Sequence, residues 1–275
     1  MATTQSFVTR VICFCNIKGG VAKSVSALFV SWALAIMGFR TLLLDMDPQS
    51  NSTYTLTGTL YEEPQGTLYE VLREKDPVSL RSIILPTQQA NLFIAPGSLW
   101  LSSTETELVS ATFRELRLKI ALKDVLPYFH FVIIDTPSSL GLLTINALAA
   151  STHYIIPVYL KLWGLIGIRI LNRTMQALQA KFEQFGMALP PLLGVLITQV
   201  RRPMTRNATD RFTQLQQIYG DKLFQAIIPL NEKLEEATDQ ELTQEATGYD
   251  YAANSAGVQA YSAVTKEILQ RVGAE

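Results

Sequence analysis

Cysteine is nearly absent from this chain, with only Cys13 and Cys15 among 275 residues. The two stand two apart on an apolar, strand-like run, so both side chains leave the same face and cannot bridge each other comfortably. No second pair exists to complete a disulfide framework, a zinc site or an iron–sulfur centre, and both read as buried thiols. Histidine is equally scarce. His130 and His153 sit at strand starts without a neighbouring Cys, His or Glu set, and neither reads as a metal ligand. Charged residues make up 17% and the formal net charge is −1, so nothing global announces a nucleic-acid binder. No apolar run is long enough to span a bilayer. The longest, Ala27 to Phe39, is interrupted by Ser31 and reads as a buried helix. Met1 to Thr9 lack the basic start and apolar core of a signal peptide, so a cytoplasmic location is expected. The Asn-x-Thr triplets at Asn51, Asn172 and Asn207 are then chance matches.

What is present suits a large α/β domain. The hydrophobic fraction of 48% supplies a core on two sheet faces. Continuous β-branched or leucine runs at 11–15, 41–45, 92–95, 131–134, 153–158, 193–198 and 224–228 read as parallel strands covered on both faces. Helical patterns alternate with them at 24–37, 103–126, 141–150, 164–185, 205–219, 232–242 and 258–272. The alternation predicts a doubly wound, mostly parallel sheet of seven strands with helices on both faces, spanning residues 1–275 as one domain. Residues 51–90, with a short helix around Leu68 to Arg73, read as an excursion from the sheet edge.

The chemistry concentrates at strand ends. Lys18-Gly19-Gly20-Val21-Ala22-Lys23-Ser24 follows the first strand and opens the first long helix. A strand, a glycine-bearing turn and a helix N-terminus make a phosphate site, because amides converge on the anion where the helix carries partial positive charge. Lys23 is placed for the β- and γ-phosphates and Ser24 for Mg²⁺. Against the pattern G-x-x-x-x-G-K-[ST], the first glycine falls on Ile17 and the second on Ala22. The Ala22 methyl is tolerable at negative φ and costly at positive φ. Leu42–Leu44 delivers Asp45 and Asp47 at a strand end, and Val132–Ile134 delivers Asp135. Ligands of open α/β sheets bind outside the carboxyl ends of the strands, so all three motifs are expected on one edge.

The loop 18–24 resembles the deviant Walker A loop of the ParA/MinD ATPases. Asp45-Met46-Asp47-Pro48-Gln49 resembles their switch I, and Asp135-Thr136-Pro137-Ser138-Ser139-Leu140-Gly141 their switch II with its Walker B aspartate. Ile155-Ile156-Pro157, Trp163-Gly164-Leu165, Gly194-Val195-Leu196 and Ile227-Ile228-Pro229 extend the resemblance over nearly the whole chain. It implies an ATPase with ATP and Mg²⁺ as cofactors. The nucleotide would be held by Lys18, Gly19, Gly20, Val21, Ala22, Lys23, Ser24 and Val25, with Pro229 beside it. Ser24 and Asp135 would serve the metal, with Asp45 supporting the metal or the loop. Asp47 would position the attacking water, and positioning and charge stabilisation suffice for phosphoryl transfer. Lys18 would cross to the nucleotide of a second subunit, which makes Lys18, Lys23 and Asp47 the catalytic set and implies an ATP-bound sandwich homodimer.

The branch follows by elimination. The C-terminal pattern Val258 to Arg271 holds two bases and one acid, a poor match to the basic amphipathic anchor of a MinD-like protein, so no membrane insertion is expected. Only about ten residues precede the first strand, so no N-terminal helix-turn-helix domain is expected. The remaining reading is a short partition-type ATPase, nucleoid-associated, whose hydrolysis a ParB-like or analogous adaptor stimulates. Its contacts with double-stranded DNA would be sequence-independent and carried by Arg201, Arg202, Arg206 and Lys233. Leu230 stands where arginine is frequent in the family. Two alternatives stay open: a positioning ATPase of the same fold acting on a non-DNA matrix, and a nucleotide-dependent switch with negligible turnover.

Overall fold

The structure, a computed structural model, describes residues 8–160, 165–239 and 248–274. Strands β1 (Arg10–Phe14), β2 (Thr41–Asp45), β3 (Leu85–Pro86), β4 (Leu92–Ala95), β5 (Phe131–Asp135), β6 (His153–Tyr159) and β7 (Leu192–Thr198) form one sheet. Their order is β3-β4-β2-β5-β1-β6-β7. Every neighbouring pair is parallel except β3 with β4. The helices are α1 (Lys23–Ile36), α2 (Asn51–Thr57), α3 (Leu68–Leu72), α4 (Leu80–Ile83), α5 (Leu101–Glu107), α6 (Arg117–Leu122), α7 (Leu142–Ala150), α8 (Leu165–Gln184), α9 (Arg206–Tyr219), α10 (Glu232–Glu236), α11 (Gly248–Tyr251) and α12 (Ala256–Val272).

The two-residue period of the strands sorts their side chains between two cores. Ile12, Phe14, Leu43, Phe131, Ile133 and Ile155 face one core with α1 and α12. Val11, Cys13, Cys15, Leu42, Leu44, Val132 and Ile134 face the other. The cysteines therefore share one face, buried and unbridged. On the first side Phe29 stacks on Tyr261 with centroids 5.2 Å apart, and the hydroxyls of Ser26 and Tyr261 lie 3.0 Å apart. The apolar stripe of α12, including Val258, Tyr261, Val264 and Ile268, is spent on this contact, so the last helix covers the sheet.

Three segments depart from the periodicity. The run at 224–228 does not become a strand. It runs beside β7 through isolated bridges, Val195 with Leu223 and Val200 with Pro229, and through the amides of Phe224 and Ile228, which donate to the Val195 and Ile197 carbonyls at 3.0 and 2.9 Å. Between these contacts the ladder is interrupted where the Glu267 carboxylate accepts the amides of Gln225 at 3.1 Å and Ala226 at 3.4 Å. The seventh strand is instead the short antiparallel β3, contributed by the excursion at 51–90. That excursion packs Leu68, Val71, Leu72, Leu80 and Ile83 into the same core as β1 and β2.

The helix expected over 103–126 breaks into α5, α6 and a 3₁₀ turn at Leu126–Tyr128. Phe113 takes a left-handed φ of 55°, and Arg114 folds back onto the Val109 carbonyl at 2.5 Å. A left-handed residue cannot continue a right-handed helix. The helix expected over 232–242 is seen as α10, which stops at Glu236, while residues 240–247 lie outside the described residues. Trp163 and Gly164 of the extended resemblance also lie outside them.

Candidate nucleotide site

Register brings the three motifs together. Asp45 of β2 is paired with Asp135 of β5, and Asp135 with Phe14 of β1. Both carboxylates thus stand on the edge from which the 16–24 loop leaves β1, as a parallel sheet requires.

The loop is pinned from several sides. Asn16 donates to the Pro157 carbonyl at 2.8 Å and accepts the Lys18 amide at 3.0 Å. Thr198, ending β7, donates to the Val21 carbonyl at 3.1 Å, and the Gln199 amide group to the Gly20 carbonyl at 3.2 Å. Gly20 has φ 69°, which glycine supplies at little cost. Ala22 has φ 60° and ψ 39°, the costly case for a methyl-bearing residue, at the N-cap of α1 and without a capping side chain. The second departure from the glycine pattern is therefore a strained position.

Lys23 is 6% exposed. Its ammonium donates to Ser138 Oγ at 2.6 Å and to the Lys18 carbonyl at 3.3 Å. Burial pulls its pKa down, against the upward pull of Asp135, Asp47 and Cys15. Lys18 is half-buried on the rim, and its ammonium makes no hydrogen bond or ion pair with the described residues. Gly19 and Gly20 are exposed at the mouth, Val21 is buried, and Ser24 and Val25 are half-buried at the start of α1.

The two strand-end aspartates differ in what they hold. Asp45 is fully buried; Oδ2 accepts the amide and the hydroxyl of Thr53, each at 2.7 Å, and Oδ1 the Asp47 amide at 3.3 Å. Burial pushes its pKa up to about 8, with Asp135 adding to the rise. Asp135, also fully buried, accepts the Ser52 hydroxyl on Oδ2 at 2.9 Å, whereas its Oδ1 has no partner among the described residues. Burial pushes it up to about 6, opposed by the hydroxyls of Ser24 and Ser52 and by Lys23. A buried carboxylate oxygen without a donor is costly unless a cation or a bound water completes it, and Ser24 stands beside it. These residues fit a magnesium ion. Asp47 is half-buried and accepts the Gln49 amide at 3.0 Å. A cavity of about 200 Å³ lined by Ser24, Val25, Ser52 and Thr238 opens alongside.

Sequence reasoning missed Ser52, Thr53 and Ser138. The first two carried a legible signal, since two hydroxyls in the first turn after a strand-end carboxylate pair are natural donors to it. Pro229 lies opposite Val200 beyond β7. Arg201 and Arg202 are exposed just past the residues that pin the loop, and Arg206 is exposed at the start of α9. Lys233 is bridged to Glu236 at 2.5 Å, and Arg211, further along α9 from Arg206, donates to the Leu160 carbonyl at 2.8 Å. Among the described residues no helix is long and apolar enough to cross a membrane, and no cluster of His, Cys, Asp and Glu suits a metal by itself.

The sheet order, the loop between β1 and α1 and the paired strand-end aspartates define a P-loop nucleotide-binding protein of the doubly wound class. A family model described as an AAA domain matches residues 9–185. The chromosome-partitioning ATPase Soj of Treponema pallidum is 35% identical over 96% of this chain and 98% of its own. The sporulation initiation inhibitor protein Soj of Bacillus subtilis is 36% identical, over 83% and 87%. Among solved structures, cobyrinic acid a,c-diamide synthase from Mycobacterium smegmatis with bound ATP analogue and magnesium superposes with a TM-score of 0.78 at 28% identity, over 97% of each chain. The ATP complex of a Cyanothece McdA variant has a TM-score of 0.80 at 21% identity and supports the fold. The chain belongs to the ParA/Soj family of partition ATPases.

Proposed function

We propose that this protein binds ATP with Mg²⁺, dimerises around two nucleotides, binds DNA without sequence preference in that state, and hydrolyses ATP when an adaptor stimulates it. The observation that carries the reading is the buried pair of Lys23 and Asp135: one cation aimed into the loop mouth, and one carboxylate oxygen left free beside Ser24. Ser24 and Asp135 would hold the metal, which supplies charge neutralisation for the phosphates. Lys23 binds and orients the phosphates from below, and the amides of residues 19–24 line them. Asp47, free on one oxygen and close enough to Lys23 to oppose the lowering of its pKa by burial, orients water. Asp45 is engaged by Thr53 and the Asp47 amide, so its part is to hold the switch I loop in place. The free ammonium of Lys18 on the rim supports the crossed contact with a second subunit.

The DNA reading rests on Arg201, Arg202 and Arg206, exposed on the segment whose start, Thr198 and Gln199, is bonded to the loop. This continuity is a route by which nucleotide occupancy can move the arginines. Lys233 contributes less, because Glu236 neutralises it. Titrating duplex DNA with ATP and with ADP across salt tests the reading. ATP-dependent binding should weaken when Arg201, Arg202 and Arg206 are all replaced by alanine. The slope of log affinity against log salt should then fall by about one unit for each DNA phosphate that is no longer neutralised. Absence of ATP-dependent binding to any duplex at low salt would reject DNA as the matrix and leave the non-DNA positioning reading.

A further inference from the structure

Within the 135–141 loop, most side chains are tied back to their own surroundings. Thr136 donates to the Phe14 carbonyl at 2.8 Å, and Ser139 accepts the Gly141 amide at 3.4 Å. Ser138 differs. It is exposed at the mouth of the site, yet its hydroxyl lies 2.6 Å from the buried Lys23 ammonium. On its other side it faces the phosphate-binding turn, 3.7 Å from where a Cβ on Gly19 would stand. The hydroxyl therefore occupies the space between turn and lysine, in short hydrogen-bond contact with the ammonium.

Lys23 has few alternatives. Its only other acceptor among the described residues is the Lys18 carbonyl at 3.3 Å, and a buried ammonium needs acceptors in place of water. A phosphate oxygen is a stronger acceptor than a serine hydroxyl and must approach through the same space. We infer that Ser138 is a latch: in the nucleotide-free protein its hydroxyl holds Lys23 where a phosphate oxygen belongs, and nucleotide binding replaces this bond and releases the 135–141 loop. Ser138 is thus a positioning residue acting through Lys23, and it makes the loop before α7 responsive to occupancy of the site. The inference rests on the nucleotide-site reading.

The test is Ser138→Ala with Ser138→Thr as the hydroxyl-retaining control, using ADP–Mg²⁺ for affinity and ATP–Mg²⁺ for turnover. Removing the competing acceptor should tighten ADP binding about three- to tenfold. The KM for ATP should fall by a similar factor with kcat unchanged, because the bond removed belongs to the free protein alone. Ser138→Thr should return both to wild type. Hydrogen exchange at residues 138–142 should rise on ADP binding in the wild type and be already raised in ligand-free Ser138→Ala. Weaker ADP binding by Ser138→Ala would make the hydroxyl a phosphate ligand and overturn the latch. Unchanged affinity with unchanged exchange would overturn it as well. A Lys23→Ala variant separates the two levels: if it binds ADP like wild type, the nucleotide site is wrong, whereas abolished binding there with an inert Ser138→Ala rejects the latch alone.

Discussion

Ala22 offers the sharpest test of the loop's physics. It sits at φ 60° and ψ 39° as the N-cap of α1, where the general P-loop pattern has glycine. Holding an L-residue with a Cβ in the left-handed region costs roughly 1–2 kcal/mol. Replacing it by glycine removes that cost and adds roughly 0.4–1 kcal/mol of chain entropy in the unfolded state. Glycine is also preferred to alanine at an N-cap, which acts in the same direction as the relief of strain. The net expectation for Ala22→Gly is a stabilisation of about 0.5–1 kcal/mol, or a rise in Tm of about 1–4 °C for a chain of this size. Ala22→Val should do the reverse and by more, since a β-branched residue at positive φ is a true outlier. Thermal unfolding of the ligand-free proteins, followed by far-UV circular dichroism, measures both. A glycine variant that melts at or below the wild-type temperature, beside a valine variant that melts with it, would mean that residue 22 is not held left-handed.

Lys18→Ala should leave nucleotide binding largely intact while weakening ATP-dependent dimerisation and slowing hydrolysis. Sedimentation with ATP and a turnover assay check this, and normal values in both would remove the crossed contact. Asp47→Ala should bind ATP and dimerise but turn over slowly, trapping the assembled state; wild-type turnover would shift the positioning of water to another residue. Asp45 and Asp135, raised by burial to about 8 and about 6, set a pH dependence for the ligand-free fold. Between the ordinary carboxylate range and those values the folded state holds more protons than the unfolded one, so stability should fall as pH rises from about 4 to about 8. Denaturant titrations across that window check it, and a stability that climbs throughout would contradict the buried setting of the two carboxyl groups.

Much of the site was legible in the sequence alone. Apolar runs ending in Asp45 and Asp135, and a lysine-bracketed glycine turn after a third run, can meet only at one edge once the strands are parallel, because parallel strands send all their carboxyl ends the same way. The two-residue period likewise put Cys13 and Cys15 on one face. Local pattern failed where a distant side chain decided the outcome. Gln225 and Ala226 read as strand, and Glu267 on the last helix took their amides. The pattern from 103 to 126 read as one helix, and the turn around Phe113 broke it. The conformation of Ala22 could be posed as a question by the sequence but answered only by the structure, since the loop is tied at once to β6 and β7. Which oxygen of Asp135 is left without a donor, and which hydroxyl meets Lys23, depend on residues brought together from separate strand ends. Periodicity records the average surroundings of an element and so reveals strands, helices and the edge where motifs gather. Individual hydrogen-bond partners are set by long-range closure of the chain, which only the tertiary structure decides.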